Sequence, residues 1–146
     1  MCPIDFSEAS REAVVAAIEL SKRFGAELTL LHVYQIPAYT MPEGLISAGP
    51  DVVATMQEQI DRLLESWQGD AARSGVKVTT ASVLGAPFAE IVRYAREHAF
   101  DLIVIGTHGR TGLRHALLGS VAEKVVRKAH CPVLTVRYSR HEFERP

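Results

Sequence analysis

Asp101-Leu102-Ile103-Val104-Ile105-Gly106-Thr107-His108-Gly109-Arg110-Thr111-Gly112, running on through Leu113 to Gly119-Ser120, is the stretch on which the fold turns. It begins as a short apolar run with no polar alternation, the pattern of a strand buried on both faces. It then breaks into glycines and polar residues. It ends at Ser120-Val121-Ala122-Glu123, whose Ser-x-x-Glu spacing predicts a capping box at a helix start. A buried strand that feeds a glycine-rich loop and then a helix N-terminus is suited to phosphate, because free backbone N–H groups and the helix dipole converge there.

Outward from that stretch, strands and helices alternate. Residues 1–4 read as the end of a strand. Ser7 is placed to cap a helix with Glu8 in its first turn, and Ala13, Val14, Ala17, Ile18 and Ser21 form its inner face. Gly25 stops that helix, and Leu28-Thr29-Leu30-Leu31-His32-Val33-Tyr34 is a second, mostly apolar strand. Residues 35–50 hold three prolines and two glycines with little periodicity, so they read as a loop, either a lid over a site or a surface excursion. A helix follows with Val53, Met56, Ile60, Leu63, Leu64 and Trp67 on one stripe, read as core. Residues 76–84 make a more polar strand, placed near a sheet edge.

Pro87 sits where a first helical residue belongs, and Ile91, Val92, Ala95 and Ala99 are assigned to the core side. The strand at residues 102–106 comes next. After the glycine-rich loop, the helix from Ser120 is expected to bury Val121, Val125 and Val126. Cys131-Pro132 breaks it, residues 133–136 form the last strand, and 139–146 are a polar tail. This order predicts right-handed crossovers and a parallel sheet with helices on both faces. No internal repeat or linker divides the chain, so residues 1–146 read as one domain.

Composition narrows the function. The 146 residues are 47% apolar and 23% charged, and sixteen basic against seventeen acidic side chains leave a net charge of −1. A nucleic-acid partner would call for a clustered basic excess, and none is seen. No apolar run is long enough to span a bilayer. Cys2 and Cys131 form no disulfide framework, and the first residues lack the pattern of a secretory leader, so the expected compartment is the cytoplasm. The histidines show no metal-ligand spacing with acids or cysteines.

The loop is neither of two common nucleotide loops. No Lys-Ser or Lys-Thr pair follows a glycine, which excludes a Walker A loop, and Gly106, Gly109 and Gly112 are spaced by three, which excludes Gly-x-Gly-x-x-Gly. Gly106 and Gly109 can bring backbone N–H groups close to a polyphosphate, and Gly119-Ser120 begin the next helix. Ser120 either donates to phosphate or caps its own helix. Arg110 either pairs with phosphate or is a solvated loop charge, and His108 is open to the same two readings. Asp5, taken by itself, reads as a plain helix-start acid.

Gly106-x-x-Gly109, nine residues, then Gly119-Ser120 resembles the Gly-2x-Gly-9x-Gly-Ser/Thr signature of the universal stress protein family. Pro3-Ile4-Asp5-Phe6-Ser7-Glu8 resembles that family's first strand–helix junction, and Leu30-Leu31-His32-Val33 its second strand end. Residues 101–109 and His130-Cys131-Pro132-Val133-Leu134-Thr135-Val136 resemble its fourth and fifth strands. The resemblance covers nearly the whole chain, and the full glycine signature points to the ATP-binding branch. It implies a three-layer α/β fold of the adenine-nucleotide alpha-hydrolase-like kind, with five parallel strands in the order 3-2-1-4-5. It also implies a homodimer joined through the last strand, Val133–Val136. By the same resemblance Pro3, Asp5 and Val33 lie at the adenosine, Val33 through its backbone. Ile105, Gly106, His108, Gly109, Arg110, Gly119, Ser120 and Val121 lie along the phosphates.

In one respect the chain departs from the family. Only Met1 and Cys2 precede Pro3, where the family has a longer apolar strand, so the expectation is that the natural start lies upstream.

The leading functional expectation is an ATP-binding stress-response homodimer that signals its nucleotide state to a regulatory protein partner. ATP, ADP or AMP would be the ligand, with Mg2+ on the phosphates. The alternatives are a slow ATPase or self-phosphorylating protein using Ser120, Thr107 or Thr111, and a dimerising module that binds no nucleotide. Adenylyl-transfer chemistry is disfavoured because no His-x-Gly-His motif occurs. No catalytic residue or metal ligand is assigned. Residues 110–118, between the two grips, are expected to order on ligand binding.

Overall fold

The computed structural model describes residues 1–36, 38–41, 44–107 and 118–137, with backbone alone for 38–41 and 44–47. His108, Gly109 and Arg110 lie outside the described residues, as do the rest of 108–117 and the tail from 138. The chain runs β1 (Cys2–Ile4), α1 (Glu8–Phe24), β2 (Leu28–Tyr34), β3 (Ala38–Met41), β4 (Gly44–Ser47) and α2 (Pro50–Ala72). It continues as β5 (Val78–Leu84), α3 (Pro87–Glu97), β6 (Ile103–Gly106), α4 (Ser120–Lys128) and β7 (Val133–Val136).

β1, β2 and β5 form a parallel three-stranded sheet with β2 in the middle. β6 and β7 form a parallel pair, in register from Ile103 opposite Val133 to Gly106 opposite Val136. The two parts meet at Met1, whose carbonyl accepts from the Val104 N–H at 2.9 Å and whose amino nitrogen donates to the Leu102 carbonyl at 2.9 Å. The order across the molecule is thus β5, β2, β1, then β6, β7, which follows the expected sequence of strands. The seam between β1 and β6 consists of these bonds rather than a full ladder, because β1 is short.

Apolar runs without alternation arise because each strand feeds two cores. Leu30 and Val104 pack with α1 and α2 residues such as Ala13, Val14, Ile60, Leu64 and Trp67. Their neighbours Leu31, Ile103 and Ile105 point the other way, onto Ile91 and Ala95 of α3 and Ala122 and Val125 of α4. Successive side chains of a strand face opposite sides, so a polar residue at either parity would be buried. β5 has only β2 as a neighbour among the described residues, which suits its threonines and its place at the edge.

Several local expectations are met for the expected reason. Ser7 is the N-cap of α1 and accepts from the Ser10 N–H, and Gly25 closes the helix in the left-handed conformation at φ 62°. Pro87 opens α3.

Others are corrected. Residues 35–50 are not simply a loop: β3 and β4 pair antiparallel from Ala38 opposite Ser47 to Met41 opposite Gly44. The prolines at 37, 42 and 50 all fall outside those two strands, and each strand contains an aromatic or β-branched residue. Leu63 is 44% exposed, one helical step off the inner face that Ile60, Leu64 and Trp67 occupy. Val126 is 46% exposed, and the inner face of α4 is Ala122 and Val125 instead. Ala99 lies beyond the end of α3, exposed and at φ 50°. The capping box at Ser120 is not formed. Gly119 is the N-cap of α4, no side chain caps that end, and Ser120 is already helical. Glu123 pairs with Arg127 one turn on rather than reaching back.

Candidate functional site

The carboxyl ends of β1, β2 and β6 surround a cavity of about 840 Å³, closed on further sides by α2 and the start of α4. It lies where β1 is flanked by β2 on one side and β6 on the other, so crossovers leave in opposite directions and a crevice opens between them.

Its first wall is the β1–α1 junction. Phe6 sits in the left-handed region at φ 64°, a conformation that costs a residue with a Cβ about 1–2 kcal/mol. The turn is held by side chains on both sides. Asp5 Oδ1 accepts from the Ser7 N–H at 3.1 Å and from the Ser10 hydroxyl at 2.6 Å. The Phe6 ring packs 4.4 Å from the His32 ring and meets Trp67 edge-on at 5.6 Å. His32 is buried, with Nδ1 2.9 Å from the Ile4 carbonyl. A carbonyl can only accept, so Nδ1 carries the proton and ties β2 to the end of β1.

The second wall is the β6–α4 region. Thr107 is buried; its N–H donates to the Val136 carbonyl at 2.8 Å, and its carbonyl accepts from the Gly119 N–H at 2.6 Å. That bond pins the start of α4 beside the end of β6, so the two separated glycine positions in sequence are adjacent in space. Inside α4 the first backbone bond runs from the Glu123 N–H to the Gly119 carbonyl. The N–H groups of Ser120, Val121 and Ala122 therefore have no partner within the helix, and these residues line the cavity. The positive end of the α4 dipole is directed there.

Gly106 has a packing role beside the one the sequence suggests. A Cβ on it would stand 2.8 Å from the Ala9 carbonyl oxygen and 3.0 Å from the Ala9 carbonyl carbon. The backbone of α1 crosses the end of β6 at that point, so the glycine is required by packing before any ligand is considered.

Pro3, Asp5, Val33, Ile105, Gly106, Gly119, Ser120 and Val121, separated widely in sequence, all line this one cavity. His108, Gly109 and Arg110 lie outside the described residues. Sequence reasoning missed Phe6 and Ser10 at the β1–α1 turn, and Met56, Gln59, Ile60 and Leu63 along α2. The signal for Leu63 was present: Leu63 and Leu64 are adjacent, and a helix cannot bury both on one narrow stripe. For Ser10 the Ser7-x-x-Ser10 spacing was available. Phe6 had no signal, since a left-handed aromatic cannot be read from the residue type.

Asp5 is the one carboxylate, and no lysine or arginine appears, among the described lining residues. No group of three or more histidine, cysteine or acidic residues with metal-site geometry occurs among the described residues. Cys2 and Cys131 stand apart from the cavity. Burial pushes the Cys2 thiol up to about 12, and desolvation also raises Cys131. The arrangement offers an anion a helix N-terminus and backbone N–H groups, and it offers a hydrogen-bond donor one fixed carboxylate. Apolar area from Ile60, Leu63, Val33 and Ile91 is available to a flat or aliphatic group.

Comparison with known proteins gives a consistent picture. The model of the universal stress protein family matches residues 1–137. The universal stress protein MJ0531 of Methanocaldococcus jannaschii is 39% identical over 142 residues, covering 96% of this chain and 82% of that protein. The universal stress protein UspA from Lactobacillus plantarum superposes with a TM-score of 0.77 at 29% identity, covering 92% of this chain and 94% of that one. A universal stress protein crystallised in complex with cAMP superposes with a TM-score of 0.71 at 27% identity, covering 94% of this chain and 95% of the other.

Proposed function

This chain belongs to the universal stress protein family, and on that premise we propose that it binds ATP or another adenine nucleotide as a homodimeric regulatory protein of the stress response. The observation that carries the reading is the single cavity at the strand ends, where Asp5, Val33, Gly106 and the uncapped start of α4 converge from distant parts of the chain. Its volume of about 840 Å³ suits a nucleotide, since sites for ligands of that size run to roughly 300–1,000 Å³. The relative bound to cAMP supports the adenine part of the reading.

In this reading the base lies against the end of β2, with the Val33 backbone reading its edge and the apolar groups of α2 covering its face. Asp5 accepts a hydrogen bond from the adenosine part. The phosphates lie at Gly106, Gly109, Gly119, Ser120 and Val121, stabilised by the α4 dipole and first-turn N–H groups. Oδ1 of Asp5 is already engaged by Ser7 and Ser10. A Mg2+ ion, where present, would ride on the nucleotide's phosphates and neutralise their charge, since no cluster of three or more metal-ligating side chains occurs among the described residues. Dimerisation uses β7, whose outer edge has no strand beside it among the described residues and whose Leu134 is 41% exposed.

The test is to denature the purified protein and separate whatever it releases on an ion-exchange column. An adenine nucleotide near one per chain is expected. Protein that releases none, and that binds none when ATP is added at millimolar concentration, sinks the reading.

A further inference from the structure

Ser10 is buried, and its side chain is turned mainly to a residue outside the helix that carries it. Capping of α1 belongs to Ser7, whose hydroxyl oxygen accepts the Ser10 N–H at 3.2 Å. The Ser10 hydroxyl turns outward from the helix to Asp5. It donates to Asp5 Oδ1 at 2.6 Å and accepts the Asp5 backbone N–H at 3.0 Å. A third, longer contact brings the Ser7 hydroxyl to it at 3.4 Å. A serine hydroxyl has one proton and two lone pairs, and these contacts use all three. One side chain therefore grips Asp5 by its backbone and its carboxylate together. Ser10 itself lines the cavity.

The clamp sits at the point where the backbone is least able to hold itself. The residue after Asp5 is Phe6 at φ 64°. Without the Ser10 oxygen the Asp5 N–H loses its 3.0 Å acceptor and Oδ1 loses the 2.6 Å bond, shorter than the 3.1 Å bond it accepts from the Ser7 N–H. The bond that selects one direction of the carboxylate is then gone.

We propose that Ser10 is a positioning residue: its hydroxyl fixes the direction in which the Asp5 carboxylate faces the cavity, and so sets affinity for a ligand that presents a hydroxyl or amine donor at that place. The inference rests on the nucleotide reading above and deepens it, the donor then being the ribose or the exocyclic amine of an adenine nucleotide. Charge-assisted bonds depend steeply on geometry, so a carboxylate that wanders loses its advantage over water.

A double-mutant cycle tests this, with ATP as the probe and nucleotide-free full-length protein in the calorimeter. Ser10→Ala is expected to weaken ATP binding on the order of tenfold in the wild-type background. In the Asp5→Ala background the same substitution is expected to change affinity by less than about twofold, because there is no carboxylate left to aim. A serine that merely supported the fold would weaken binding equally in both backgrounds, and that result overturns the proposal. So does an unchanged affinity for Ser10→Ala in the wild-type background. If Ser10→Ala does not fold, Ser10→Cys, of similar size but a far weaker donor, takes its place in the same cycle. Wild-type protein that fails to bind ATP overturns the nucleotide reading instead, which separates the two failures.

Discussion

Substituting Gly106 by alanine separates what the fold demands from what a ligand demands. The added methyl would lie 2.8 Å from the Ala9 carbonyl oxygen and 3.0 Å from its carbon, closer than Cβ atoms are found to approach backbone. Neither side can yield cheaply. Ala9 is buried in the first turn of α1, and that helix is anchored by the Ser7 cap and by Ala13, Val14 and Ala17 in the core. β6 is fixed between Met1 and β7. Forcing one methyl into such a contact typically costs 1–3 kcal/mol. Taking about 2 kcal/mol, at about 3 °C per kcal/mol for a chain near this length, the expected fall in Tm is about 6 °C. The assay is thermal unfolding of nucleotide-free protein followed by circular dichroism. Adding Ala9→Gly is expected to recover little, because it relieves only the 3.3 Å contact with the Ala9 Cβ and leaves the carbonyl in place. If Gly106 existed only to let a phosphate approach, the nucleotide-free variant would keep its Tm and lose affinity alone. A Tm within about 1 °C of wild type, or full recovery with Ala9→Gly, would refute the packing account.

Further expectations follow from other parts of the molecule. Ser7→Ala removes the α1 cap and should cost about 1 kcal/mol, or roughly 3 °C in Tm, with helix content kept; an unchanged Tm would show that the cap contributes nothing. Brief treatment of native protein with iodoacetamide should label Cys131 well ahead of Cys2, which is fully buried; peptide masses read the outcome, and equal labelling counts against the packing of β1. The Cys2 thiol is raised from 9.0 to about 12 in the folded state, so on raising the pH the unfolded chain ionises first. The stability attached to this thiol is complete below pH 9 and is lost as the pH rises toward 12. Urea midpoints at pH 8.5 and 10.5 should therefore converge in Cys2→Ala relative to wild type, and an identical decline in both proteins contradicts the shift. Leu134→Arg, on exposed β7, should turn the proposed dimer into a folded monomer by light scattering; a dimer that survives it places the interface elsewhere.

The fold was largely legible because its signals are local and repeated. Helix starts at Ser7 and Pro87, the stop at Gly25, and apolar strands at 28–34, 103–106 and 133–136 each follow from a few neighbouring residues. What escaped was set by tertiary contact. Gly106 reads as a phosphate glycine in isolation, and only the crossing of α1 reveals its steric role. Ser120 reads as a cap, but Gly119, whose N–H is bonded to the Thr107 carbonyl, is the N-cap, and no side chain caps that end. At the site, Pro3, Asp5, Val33, Ile105, Gly106, Gly119, Ser120 and Val121 line one cavity, while α2, which also lines it, was read as core alone. Its Ile60 serves both the core and the cavity, which periodicity cannot distinguish.

The most direct test of the central claim is calorimetric titration of nucleotide-free protein with ATP, run in parallel on wild type and Asp5→Ala. The account predicts saturable binding near one ATP per chain, weakened at least about tenfold by the substitution, since one charge-assisted hydrogen bond is worth about 1.5–3 kcal/mol. Wild-type protein without measurable heat of binding at millimolar ATP, or an Asp5→Ala variant that binds as tightly as wild type, would contradict it.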